Sequence, residues 1–134
     1  MNRTDTTTPA WRIFFLVAGV YDLLLGLAFM LAGETILEAI GMELPPHITY
    51  IQLAAIFILV QGLGYLLVAG DPWRNVGLVW VGVAYKASYA ALAFFYLVIG
   101  DLPSPFFLPW AVIDVGFMLA FLWFIRQAAE RRTA

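Results

Sequence analysis

Lys86 lies inside the apolar run GVAYKASYAAL (82–92), which carries no other charge. Three further polar residues stand at a comparable distance from polar landmarks. Lys86 follows Arg74 by twelve residues and Asp114 precedes Arg126 by twelve. Asp22 follows Arg12 by ten and Gln61 precedes Asp71 by ten. At a helical rise of about 1.5 Å per residue, all four are expected about 15–18 Å from one common boundary. Two carboxylates, an ammonium and an amide at one level can form a shared ion pair. They can also bind the polar end of a ligand, or exchange protons with it.

The elements that must position them are set by composition. Of 134 residues, 63% are hydrophobic and 12% charged. That charged share is about half the usual one for soluble domains. So much apolar surface suits a lipid solvent, since a fold this small has little interior to hide it in. Spanning a bilayer takes about 20 helical residues, and hydropathy marks four such spans, near 12–32, 47–69, 73–99 and 105–126. The expected fold is an all-α membrane protein, a single domain over 1–134. Short connections make it an antiparallel four-transmembrane-helix bundle. In span number and size the chain resembles the small four-helix proteins of bacterial inner membranes, and an inner (plasma) membrane location is expected.

Gly33 and Gly70 read as C-terminal caps of the first two spans. Asp71-Pro72 and Ser104-Pro105 read as an N-cap followed by the first helical residue of the last two. Between spans one and two, GETILEAIGMELPPH sets Glu34 and Glu38 at i,i+4 with Ile36, Leu37 and Ile40 on other faces. This predicts a short amphipathic helix on the outer surface, ending at Gly41. The first apolar run is too long for the core of a cleaved leader. Arg3, Arg12, Arg74, Arg126, Arg131 and Arg132 fall at the termini and in the second loop, whereas the first and third loops contain no Lys or Arg. Both termini are therefore expected on the cytoplasmic side.

A charge at the bilayer centre costs several kcal/mol. Placing Asp22, Lys86 and Asp114 at one depth lets each offset the others, with Gln61 in the remaining hydrogen-bond position. Small residues one turn from Asp22 (Ala18, Gly19, Gly26) and from Lys86 (Gly82, Ala90) put these two on packed faces. Asp114 is expected beside an aromatic wall of Trp110, Phe117 and Phe121, with Phe57 of the second span completing the wall of the site. Tyr65, Tyr85 and Tyr89 supply hydroxyls near the same level. Two carboxylates against one ammonium leave one negative charge, expected to be balanced by a proton held on Asp114.

These residues support four readings. The first is binding of the polar end of a hydrophobic small molecule (a lipid, quinone or isoprenoid), with a role in transport. The second is a packing staple in an accessory subunit of a membrane complex or a homo-oligomer. The third is an intramembrane acid–base enzyme such as an isomerase or cyclase. The fourth is a staple with no chemistry at all. Membrane lipid is the expected surrounding partner. The absence of cysteine excludes disulfides and thiol chemistry, and a net charge of −2 without a basic run gives no purchase for nucleic acid. No cofactor or metal is expected, His47 standing alone beside Pro46.

Overall fold

The computed structural model describes residues 7–133; Arg3, one of the positive residues counted at the N-terminus, lies outside them. The described residues form four helices and no strand: α1 (Thr7–Ala39), α2 (Thr49–Gly70), α3 (Val76–Ile99) and α4 (Phe107–Thr133). Each is long and apolar enough to cross a membrane. Leu24, Leu31, Phe57 and Val98 are among many large apolar side chains that point outward. Apolar surface on this scale needs a non-aqueous neighbour.

The helices group as two hairpins, with α1 packed closely on α2 and α3 on α4. Glycine sets the α1–α2 distance. A Cβ on Gly19 would lie 3.0 Å from the Gly62 carbonyl oxygen, and one on Gly62 would lie 2.9 Å from the Gly19 oxygen and the Leu23 nitrogen. Further along, Gly26 abuts the backbone of Ala55 and Leu59, and Gly33 abuts Ile51. Residue numbers therefore rise along α1 as those facing them fall along α2. The same holds between α3 and α4, where Tyr89 reaches Phe107, Lys86 reaches Asp114 and Gly82 reaches Phe121.

Side chains fill the seam between the hairpins. At the end where α1 begins and α4 finishes, the filling is aromatic: Phe15 stacks on Phe121 at 5.5 Å between centroids, and Trp73 on Phe124 at 4.9 Å. Trp11 donates to Gln127 Oε1 at 2.8 Å, and Trp73 donates to Thr8 Oγ1 at 2.7 Å. Arg131 lies 3.9 Å over the Trp73 ring and donates to Thr7. These contacts extend α4 two turns beyond its expected end near 126.

Several boundaries differ from the sequence expectation. The outer amphipathic segment is a short second helix, joined to the first span across a kink, so that α1 comprises both. Backbone angles break at Ala32 (φ −130°, ψ 22°), at the expected end of the first span, but helical turns resume and carry α1 to Ala39. Gly33 is buried against Ile51 and does not cap. Gln52 donates to the Met30 carbonyl at 3.4 Å, next to the break. Glu34 and Glu38 remain exposed and Leu37 is buried, so the segment is amphipathic as expected, and positive φ follows at Gly41. Asp71-Pro72 does not open α3. Asp71 caps α2, Pro72 is buried, and Asn75 begins α3. Ser104 Oγ does accept from the Phe106 N–H at 3.2 Å, as expected of an N-cap, but α4 itself begins at Phe107, two residues after Pro105. Gly100, at φ 77°, closes α3.

Gly62 and Gly64 give a direct test of the close approach. The Gly62→Ala substitution places a methyl against backbone and is expected to cost about 1–3 kcal/mol. A Cβ at Gly64 meets only the end of the Gln61 side chain at 4.0 Å, so Gly64→Ala is expected to stay within about 0.5 kcal/mol of wild type. Unfolding by SDS from mixed micelles measures both.

Candidate functional site

α1, α3 and α4 each bring one charged residue to the middle of the seam. Lys86 Nζ donates to Asp22 Oδ1 at 2.9 Å and Oδ2 at 3.3 Å, and stands 2.9 Å from Asp114 Oδ1. The three side chains are almost fully enclosed. Asp22 keeps 1% of its surface, Lys86 2% and Asp114 8%. The ammonium also sits within 6 Å of four ring centroids, from 5.1 Å for Tyr85 through Tyr21 and Phe117 to 5.9 Å for Tyr65. Ring faces carry partial negative charge and supplement the carboxylates where water is excluded.

Local sequence explains this geometry. Gly19 and Gly26, one turn on either side of Asp22, draw α1 onto α2, so Asp22 faces away from lipid. Gly82, one turn before Lys86, leaves room for the Tyr65 ring; a Cβ there would meet Tyr65 Oη at 2.8 Å. Tyr65 is fully buried, and its hydroxyl has the Gln61 side chain as its hydrogen-bonding neighbour. Tyr65 occupies the place beneath the ammonium that Gln61 was expected to fill. Gln61 lies half-buried one turn earlier on α2, with no hydrogen bond to Lys86 or to either aspartate.

On the side away from the aromatic core, the ion trio forms the floor of a cavity of about 400 Å³. The walls are apolar. Leu25 and Phe29 extend from Asp22 along α1, Ala54, Ala55 and Ile58 line α2, and Phe107 and Trp110 lead down α4 to Asp114. Tyr21, Tyr85 and Tyr89 surround the floor. Tyr89 donates to the Phe107 carbonyl at 3.4 Å. Of the expected aromatic wall, Trp110 and Phe57 do line the cavity. Phe117 flanks the ammonium without lining it, and Phe121 belongs to the core below. Ser88, at a similar level in sequence, is exposed and bonds back to Ala84.

The wall residues beyond Trp110 and Phe57 were not singled out from sequence, although a signal for them exists. Leu25 and Phe29 stand at i+3 and i+7 from Asp22, and Trp110 and Phe107 at i−4 and i−7 from Asp114. Positions 51, 54, 55 and 58 form a matching stripe on α2. Stepping by helical period from each charge toward the 40–48 and 100–106 connections traces the cavity.

Removing the ammonium alone strands two carboxylates away from water. Lys86→Met is expected to destabilise by about 3–5 kcal/mol. The triple variant D22N/K86M/D114N is expected to recover much of that loss. Between the single acid variants, Asp22→Asn is expected to cost more than Asp114→Asn, because Asp22 is the more enclosed and meets the ammonium with both of its oxygens. SDS or urea unfolding followed by tryptophan fluorescence ranks the set; wild-type stability in Lys86→Met would overturn the bridging role.

Compared with protein-family models, with curated proteins and with solved structures, the chain finds no match.

Proposed function

We propose that the chain is an antiparallel four-helix bundle of the inner membrane that binds a hydrophobic small molecule, with the ligand's polar end on the Asp22–Lys86–Asp114 trio. The observation that carries this reading is the position of the cavity. An apolar-walled space opens directly onto the three most costly side chains in the chain. Small-molecule sites typically enclose roughly 300–1,000 Å³, apolar but for a few convergent polar groups. A volume of about 400 Å³ is near the small end, which suits one chain or ring system with a compact head. Ionisable groups within membrane spans mark functional sites more often than packing devices.

Orientation is part of the same proposal. Arg12, Arg74, Arg126, Arg131 and Arg132 lie toward the end where the described chain begins and finishes, and the connections 40–48 and 100–106 contain neither Lys nor Arg. The asymmetry supports cytoplasmic termini and a cavity in the outer half of the membrane.

A second reading rests on a specific feature. The ammonium spends its hydrogen bonds on protein carboxylates, as a packing staple would, and the outward apolar surface could then hold a partner subunit.

Native mass spectrometry of protein released from its own membranes separates the two. The expected result is a discrete bound mass in wild type that is lost in D22N/D114N, and also lost when Ala54→Phe fills the cavity. A bound protein, or a bare chain in every sample, favours the staple. Topology has its own check, since the chain has no cysteine. Cysteine introduced at Glu43 is expected to react with a membrane-impermeant maleimide added outside intact cells, and cysteine at Thr133 only after lysis.

A further inference from the structure

The floor of the cavity is not electrically neutral. It holds two carboxylates and one ammonium, so with all three ionised it carries one excess negative charge. The ammonium is directed at the carboxylates, and the most exposed side chain of the trio is Asp114, at 8% against 2% for Lys86. An incoming head group therefore meets a carboxylate edge first. Around it, Tyr21 and Tyr85 line the cavity half-buried, and their hydroxyls have no hydrogen-bond partner among the described residues. The rings of Tyr21, Tyr85, Tyr89 and Trp110 complete the surround.

Resting on the binding reading above, we infer that the ligand is an amphiphilic amine, a single hydrophobic chain or ring system ending in a protonated amino group. The ammonium donates to Asp114 and to the free tyrosine oxygens and brings the floor to two positive and two negative charges. It does the work otherwise left to a proton on an aspartate. Aromatic faces favour a cation at this position. A quinone carbonyl can accept from the tyrosine hydroxyls but leaves the charge unbalanced, and a carboxylate head adds a further negative charge beside Asp114. A hydroxyl can hydrogen-bond to Asp114 but adds no charge.

The test uses three photoreactive probes with the same diazirine-bearing dodecyl chain and an amine, hydroxyl or carboxylate head. They are applied at neutral pH to the full chain in phosphatidylcholine nanodiscs. Crosslinks are mapped by mass spectrometry to the cavity wall at Leu25 and Trp110, and compared with outward-facing Trp123. The amine is expected to label the cavity about tenfold more than the alcohol, the advantage of a charge-assisted over a neutral hydrogen bond. In Asp114→Asn that preference is expected to vanish while alcohol labelling persists. Equal labelling by amine and alcohol, or preference for the carboxylate, overturns the amine inference and leaves the binding reading standing. No cavity labelling by any head, above that at Trp123, overturns both. The comparison of heads in wild type stands without any variant.

Discussion

A lysine ammonium enclosed by protein in the middle of four apolar helices is the constraint on which the rest depends. Removed from water, it is stable only with counter-charge in contact, and here two carboxylates stand at 2.9 Å. That requirement ties three helices together at one level. α1 supplies Asp22, α3 the lysine and α4 Asp114. α2 contributes no ion but closes the site from below with the ring of Tyr65. The arrangement crosses the seam between the two hairpins, so it joins units whose backbones pack more closely within themselves than against each other.

The glycines follow from the same constraint. An ion pair this enclosed needs helices close enough to exclude water on both sides. Gly19, Gly26 and Gly62 bring the α1 and α2 backbones together, and Gly82 makes space for Tyr65. Below the trio, the seam is filled by Phe15, Phe121 and Phe124. Above it the seam is not filled. Leu25, Phe29, Ile58 and Trp110 stand back from one another and leave the cavity. The trio is therefore both the top layer of a packed core and the floor of a space. A staple needs only the first, and the second is what supports a ligand.

Where sequence expectation and structure part, tertiary contact is the reason. Gly33 looks like a cap because glycine so often ends helices, but here its missing side chain admits Ile51. Asp71-Pro72 has the local chemistry of a helix start, yet burial of Pro72 and the bonds of Asn75 to Leu67 and Asp71 make it a turn. Gln61 shares the depth of the trio but not its azimuth. Depth is read by counting residues. Azimuth depends on how α2 is rotated against α1, and that is set by Gly62 and its contacts.

Sequence alone determined the four helices, their approximate limits and the common level of Asp22, Lys86 and Asp114. These depend on hydropathy, helical rise and the cost of isolated charge, all of which are local or one-dimensional. It also identified the glycine-lined faces of Asp22 and Lys86, since small residues at helical period mark close packing. Only the tertiary structure decided that Tyr65 rather than Gln61 sits beneath the ammonium and that Phe117 and Phe121 fall below the floor. It alone placed a cavity on one side of the trio. Those outcomes turn on helix rotation and on the spacing between hairpins, which depend on how side chains from four helices fill a shared volume.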